Sequence, residues 1–231
     1  MTWYNLGVAY NKSGHVDKAI ECLKKSFELR PNYAKPRIKL GSMLALNDEF
    51  AEAATHFQSA IENEVRNIEG YQKLSAVRRR QQNWGEAIQL LNDALRIEPD
   101  NRKLLADIAL GLLEIKNQQH RQPAKALQCA QILFALDKSN VTNALILALA
   151  NIEAGRFKEA LELINKFVAK GERKAEIGLV FAVAQKKLNS GESALVNFKG
   201  AKAALLQSKQ DRVARVILEY AEQAFSANPA N

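Results

Sequence analysis

The sequence predicts an all-α chain built from repeated helical hairpins, and three observations support this class. The 231 residues include only 11 glycines and 5 prolines, and strand-like alternation of Val, Ile and Thr is absent. Hydrophobic residues make up 47% of the chain and charged residues 25%, an ordinary balance for a water-soluble protein. One pattern of small and large residues recurs about every 34 residues, which indicates a repeat array rather than one large core.

The first repeat carries the clearest form of this pattern. Its characteristic residues are Trp3, Leu6, Gly7, Tyr10, Gly14, Ala19, Leu23, Ser26 and Pro31. The spacing predicts a first helix from about Thr2 to Lys12 and a second helix from Val16 to Leu29. Gly14 makes the turn between them, and Pro31 follows the second helix because proline cannot continue it.

Five further repeats and a final helix follow the first repeat. The predicted boundaries are 1–33, 34–67, 68–101, 102–140, 141–174 and 175–208, with 209–231 as a capping helix and tail. In the fourth repeat the turn between the two helices is lengthened at Asn117–Pro123. The sixth repeat is degenerate because Gly178 stands in place of the large first residue. The last segment has apolar residues at helical spacing and is suited to cap the final hairpin.

Small residues recur at the two positions where the helices of one hairpin should cross. The first position holds Gly7, Gly41, Ser75, Ala109, Ala148 and Ala182, and the second holds Ala19, Ala53, Ala87, Ala126, Ala160 and Ala194. A side chain larger than serine there would push the helices apart, and large neighbours fill the groove that the small residues create. The pattern therefore predicts close packing within every hairpin.

These residues and spacings resemble the tetratricopeptide repeat (TPR) family. The resemblance implies a right-handed α-solenoid of about six TPR hairpins with a C-terminal capping helix. It also implies that the first helix of each pair lines a concave groove, where such proteins bind a peptide or a helix of a partner. On this interpretation the chain is a protein–protein interaction scaffold, and it is not expected to be an enzyme.

The candidate groove residues are those on the first helices that the packing signature does not use. The polar to basic N-terminal half contains Lys35, Ile38, Lys39, Gln72, Arg79 and Arg80. The apolar C-terminal half contains Leu110, Leu113, Leu145, Leu149, Ile152, Leu179 and Val183. An exposed apolar row would receive an amphipathic helix or an apolar peptide. The alternative is that superhelical curvature, or the C-terminal helix, buries the row.

The net charge of +8 permits an acidic partner, such as a peptide with an acidic segment, although the simpler explanation is a protein with Lys-rich solvated faces. Nucleic acid is a less favoured partner because no aromatic stacking platform interleaves with the basic residues. Two further alternatives remain. The chain could self-assemble through an uncapped N-terminal face at Trp3 and Tyr10. Its Asn117–Lys125 turn, followed by Ala154–Phe157, also resembles the soluble repeat array of some bacterial membrane glycosyltransferases.

Catalytic, metal and cofactor sites are not expected. His15, His56 and His120 lie in different repeats, and no His, Cys or Asp cluster has metal-ligand spacing. Cys22 and Cys129 occupy equivalent positions on second helices, so they are predicted to be small packing residues. No apolar run reaches the ~20 residues that a membrane span needs. The default expectation for location is cytoplasmic, or periplasmic if the chain is a fragment of a membrane protein.

Overall fold

The computed structural model describes residues 2–115, 121–169, 171–188, 191–208 and 210–226. Over these ranges the chain forms thirteen α-helices and no strand, which confirms the all-α helical repeat solenoid. The helices are α1 (Trp3–Lys12), α2 (Val16–Leu29), α3 (Ala34–Leu46), α4 (Phe50–Asn63), α5 (Ile68–Arg80), α6 (Trp84–Ile97), α7 (Arg102–Leu113), α8 (Pro123–Leu136), α9 (Val141–Glu153), α10 (Phe157–Val168), α11 (Lys174–Lys187), α12 (Gly191–Leu206) and α13 (Arg212–Ser226). Most of the predicted fourth-repeat insertion, residues 117–120, lies outside the described ranges.

The chain divides into two compact units, Met1–Leu104 and Leu105–Asn231. In the first unit α1 pairs with α2, α3 with α4, and α5 with α6, while the first helices α1, α3 and α5 lie side by side. In the second unit α8 packs on α9, α9 on α10, and α11 on α12. Each unit is therefore a short stack of helical hairpins.

Close helix crossings hold each hairpin of the first unit together. A Cβ added at Gly7 would lie 2.9 Å from Leu23 Cγ, and one added at Gly41 would lie 2.9 Å from Phe57 Cε1. At the equivalent place in the third hairpin, the buried Ser75 hydroxyl donates a hydrogen bond to the Ala87 carbonyl at 2.8 Å. These contacts confirm the role predicted for the small residues. They also explain why serine is accepted there, since its hydroxyl finds a partner on the facing helix.

Local residues set the helix boundaries. Gly14 and Gly155 have φ values of 80° and 76° at the turns inside their hairpins, a conformation that favours glycine. Asn67, Asn83 and Asn140 begin α5, α6 and α9 by accepting hydrogen bonds from backbone N–H groups three residues on. As the first repeat predicted, α2 ends at Leu29, just before Pro31.

The last helix, α13, packs on α11 and α12 and also reaches back to α9. Its buried residues are Val213, Ala214, Val216, Ile217, Leu218 and Ala221. The sequence predicted contact with the final hairpin. It left open whether this helix also covers the apolar row on earlier first helices, and the contact of α13 with α9 shows that it does reach one of them.

Candidate functional site

The first helices of the first unit carry the basic part of the predicted groove. Lys35 and Arg80 are exposed, whereas Lys39 and Arg79 are half-buried. Ile38 is buried, which corrects its placement as a groove residue, because its side chain belongs to the hairpin core. A sixth predicted residue, Gln72, is half-buried on α5, and its amide oxygen accepts a hydrogen bond from Lys103 Nζ at 3.1 Å.

A surface pocket of about 400 Å³ lies where the ends of α3 and α5 meet. Its apolar wall includes the buried side chains of Phe57 and Val77. The polar groups at its rim are Lys73, Arg80, Ser42 and Asp48. The complete lining is Ser42, Ala45, Leu46, Asp48, Phe50, Phe57, Lys73, Ala76, Val77 and Arg80. An apolar cavity with two cations at its edge suits an apolar side chain that stands next to a carboxylate.

The neighbours of the predicted basic residues have other contacts. Arg78 donates from Nε to Glu86 Oε1 at 2.7 Å, so it bridges the two helices of its own hairpin. Arg37 stacks over the Phe27 ring at 4.5 Å and donates to the Pro31 carbonyl. These two arginines therefore stabilise the repeats. Of the run Arg78–Arg80, Arg80 is the member that lines the pocket.

The seven apolar residues predicted for the C-terminal half of the groove are buried. They are Leu110, Leu113, Leu145, Leu149, Ile152, Leu179 and Val183, and none is more than 7% exposed. The expectation of an exposed apolar row is therefore corrected, and the alternative of burial describes this face. The cause is packing within the second unit, where α13 lies against α9 and α11 and its Arg212 reaches α7.

Acidic residues on these first helices, or directly after them, bind α13. Arg212 donates from Nε and Nη2 to the two carboxylate oxygens of Glu114, at 2.9 and 3.2 Å, and from Nη1 to Asp107 at 2.6 Å. The Tyr220 hydroxyl donates to Glu153, whose other oxygen accepts from Arg121 at 2.8 Å. No role was assigned to these acidic residues from the sequence. Each of them lies three or four residues from a member of the apolar row, and this helical spacing is the signal that could have located them.

A second charged contact fixes the start of α13. Arg173 forms two hydrogen bonds with the Asp211 carboxylate, at 2.8 and 3.0 Å, and also pairs with Glu176. The hydrogen bond from Arg173 is the main reason that the pKa of Asp211 is lowered to about 2. Asp211 also accepts from the backbone N–H of Ala214, so the same carboxylate caps the helix.

Polar groups near the other end of α13 are also engaged. Burial, followed by the hydrogen bond to Glu153 and its negative charge, raises the pKa of Tyr220 well above its usual value. Lys186 on α11 donates to the Ala224 carbonyl at 2.7 Å and lies over the Phe225 ring. Phe225 in turn stacks on Phe198 of α12 with ring centroids 4.3 Å apart. Contacts thus hold α13 along its whole length.

Within the described ranges, no group of three or more His, Cys, Asp or Glu side chains could hold a metal ion. Cys22 and Cys129 are free thiols, and both are buried, as predicted for packing residues. Burial raises the pKa of the Cys129 thiol, which disfavours the reactive thiolate. Among the same residues, no helix combines the length and the apolar character that a membrane span needs.

Comparisons with known sequences point to one repeat type. A tetratricopeptide repeat profile matches residues 1–33, and a second such profile matches residues 118–175. The chain is 24% identical over 181 residues to the DnaJ homolog subfamily C member 7 homolog of Schizosaccharomyces pombe, which covers 73% of this chain and 38% of that protein. It is 25% identical over 103 residues to human protein O-mannosyl-transferase TMTC1, covering 45% of this chain and 12% of that protein. Each match thus concerns a minor part of the relative.

Solved structures show the same fold. A tetratricopeptide repeat protein from Parabacteroides merdae superposes with a TM-score of 0.72 at 15% identity, covering 97% of this chain and 86% of that one. YrrB, described as a TPR protein with an unusual peptide-binding site, gives 0.62 at 19% identity, with 88% and 99% covered. At these identities the likeness concerns the fold alone. The profile matches show that the chain carries tetratricopeptide repeats at residues 1–33 and 118–175, and it has the fold of tetratricopeptide repeat proteins.

Proposed function

We propose that this chain is a reversible protein-interaction scaffold that captures an acidic peptide segment on the first-helix face of its first unit. The observation that carries the proposal is the pocket between the ends of α3 and α5. It combines an apolar wall at Phe57 and Val77 with the cationic groups of Lys73 and Arg80. YrrB, whose description includes a peptide-binding site, shares the fold and is consistent with this class of function.

The chemistry of the pocket defines the preferred segment. One large apolar side chain fills the cavity, and an Asp or Glu beside it pairs with Arg80 or Lys73. Lys35 and Lys39, one turn apart on α3, extend the basic surface for further acidic residues. Asp48 also lines the pocket, so part of its edge is acidic. Exposed charge pairs contribute little individually, and binding requires the apolar contact as well.

A random peptide library displayed on phage tests the proposal with the whole chain as bait. We expect enrichment of peptides with an aromatic or aliphatic residue next to Asp or Glu. An enriched peptide, labelled with fluorescein, is then titrated against the wild-type chain and the double variant Lys73→Glu with Arg80→Glu. Reversing two charges should weaken binding at least tenfold, about 1.4 kcal/mol.

Arg96→Glu provides the matched control, because Arg96 is an exposed arginine on the second helix α6 of the same unit. It changes the net charge in the same direction without touching the pocket, so binding should stay close to wild type. Equal binding by the double variant and the wild-type chain, or enrichment of peptides without acidic residues, would refute the assigned pocket.

A second candidate is that the chain is the repeat-bearing part of a larger glycosyltransferase. The similarity to protein O-mannosyl-transferase TMTC1 over 103 residues favours it, whereas the catalytic part of such an enzyme would lie elsewhere in the protein. Reading the genomic frame that surrounds this sequence tests the candidate. Transmembrane and transferase segments in one frame with it would support the idea, and a frame without them would reject it.

A further inference from the structure

We infer that the outer side of α12, the side turned away from α11, is a docking surface for an amphipathic helix of another protein that carries an acidic residue. The surface is one row of exposed residues: Leu195, Val196, Lys199, Gly200, Ala203 and Leu206. It lies on a second helix of the second unit, so it does not coincide with the pocket between α3 and α5. The proposal does not depend on that pocket.

Helix α12 is apolar on two sides, although the structure covers only one of them. Its inner side packs on α11 and includes Ala194 and Leu205, which are 0% and 1% exposed. On the outer side, Leu195, Val196 and Leu206 are 41%, 66% and 57% exposed. The outer residues recur at i, i+3, i+4, i+7 and i+10 from Val196, so they form one continuous stripe along the helix. A helix that is apolar all round is normally packed all round.

Exposed apolar residues are concentrated on this helix. Of the eleven large apolar side chains that are exposed in the described ranges, three lie within the twelve residues 195–206. The outer side of α10, another second helix of the same unit, instead presents the charged residues Lys158, Glu159, Glu162 and Lys166. Single exposed apolar residues are common on protein surfaces, whereas a contiguous row marks an interaction surface. The outer side of α12 therefore has the composition of an interface.

Small residues at the centre of the row indicate that the occupant is a helix. A Cβ added at Gly200 would meet no atom within 4 Å, and Ala203 is exposed one turn further on. In this chain helices cross closely over such residues, as α1 and α2 do at Gly7. A large side chain of a docking helix would fit over Gly200, between Val196 and Leu206. Membrane attachment would depend on buried apolar area, to which a glycine contributes little.

The charge of the surface defines the partner. Residues 193–206 contain two lysines and no carboxylate. Lys202 is engaged, because its Nζ pairs with Glu222 on α13 at 2.8 Å. Lys199 is exposed in the middle of the row, and no carboxylate among the described residues pairs with it. An Asp or Glu on the docking helix would supply that carboxylate, whereas a second copy of α12 would bring another unpaired lysine to the contact.

Fluorescence anisotropy on the full chain tests this inference with two designed probes. Both are fluorescein-labelled amphipathic peptides with a leucine stripe, about 20 residues long so that they form helices in water. One carries glutamate beside the stripe, and the other carries lysine at the same positions. We expect wild type to bind the acidic peptide at least tenfold more tightly than the basic one. Lys199→Glu should weaken binding of the acidic peptide at least tenfold, and so should Gly200→Phe, whose ring fills the crossing point.

Lys166→Glu is the matched control, because Lys166 is exposed on the outer side of α10 and the change in charge is the same. This variant should bind the acidic peptide like wild type. Both α12 variants alter exposed positions and should keep the helical circular dichroism of wild type; if G200F does not, K199E decides alone. Binding of the acidic peptide that K199E leaves unchanged belongs to another surface and would overturn the inference. Equal binding of the acidic and basic peptides by wild type would overturn it as well.

Two further measurements distinguish other occupants of the surface. Gly200→Phe adds an apolar side chain, so it should strengthen attachment to a lipid surface but weaken the docking of a helix. Stronger sedimentation of G200F than of wild type with vesicles of phosphatidylcholine and phosphatidylserine would overturn the inference. A doubled mass of wild type in light scattering that G200F abolishes would assign the surface to a second copy and would also overturn it. We expect the mass of a single chain and no sedimentation with the vesicles.

Discussion

Replacing Leu149 with alanine tests whether the apolar row on the first helices of the second unit is core or open groove. Leu149 lies in the middle of α9, and its side chain is 0% exposed. Removing three carbons costs about 2.4 kcal/mol at about 0.8 kcal/mol for each buried methylene. The packed neighbours cannot fully close the space, so the expected total loss in the free energy of unfolding is about 3–5 kcal/mol.

Chemical denaturation followed by far-ultraviolet circular dichroism measures this loss. Both tryptophans, Trp3 and Trp84, lie in the first unit, so their fluorescence reports the unfolding of that unit separately. The dichroism transition should shift to lower denaturant in L149A by more than the fluorescence transition does. Leu46→Ala is the control, because Leu46 is 84% exposed and its loss should change stability by less than about 0.5 kcal/mol.

A loss below about 1 kcal/mol in L149A would refute the reasoning. It would mean that the side chain is effectively exposed in solution and that α13 does not cover this face. Leu149→Asp distinguishes the two cases even more strongly, since a groove residue would tolerate aspartate. A buried position would leave an unpaired charge in the core and unfold the second unit.

Two further predictions concern a close contact and a charge. Gly41→Ala places a methyl group 2.9 Å from the Phe57 ring and should lower the free energy of unfolding by about 1–2 kcal/mol, the cost of overpacking less the gain in helix propensity. Gly200→Ala lies in open space on α12 and should raise the free energy of unfolding by up to about 1 kcal/mol. Denaturation curves in which G41A is the more stable of the two variants would contradict this account. Asp211→Asn should lower the melting temperature at pH 6, because Arg173 holds the pKa of Asp211 at about 2, below its ordinary 3.8. Because the folded-state pKa is lowered, the ionised Asp211 carboxylate stabilises the fold above about pH 4, and this stabilisation is lost as the pH falls through 2. The difference in melting temperature between D211N and wild type should therefore shrink over that range. A difference independent of pH would exclude the Arg173 contact as its cause.

Local periodicity was enough to predict the hairpins. The crossing positions at Gly7 and Ala19 repeat because two helices can approach closely only over small residues, and each repeat must satisfy this requirement with its own neighbours. Such a rule acts within about 34 residues, so one sequence displays it several times. The same locality explains why the bounds of α2 were predicted correctly from Val16 and Pro31.

The long-range contacts of α13 could not be predicted in the same way. Arg212 and Asp107 are 105 residues apart. Because this pair does not recur from repeat to repeat, no repeated spacing in the sequence indicates the contact. Leu149 and Leu179 looked like groove residues because the repeat signature does not use them. They are buried by packing within the second unit, where α13, a helix that belongs to no repeat, also lies against α9 and α11. A residue unused by a repeat pattern is open only if nothing outside that pattern covers it.

The two first-helix faces therefore have opposite chemistry, and this difference limits what each can bind. The face of the first unit presents cations at Lys73 and Arg80 around an apolar pocket, which favours an acidic segment. The face of the second unit presents acids at Asp107 and Glu114, already neutralised by Arg212. On the proposed function, an acidic segment is therefore expected to bind at Lys73 and Arg80 of the first unit, whereas Asp107 and Glu114 of the second unit would repel it.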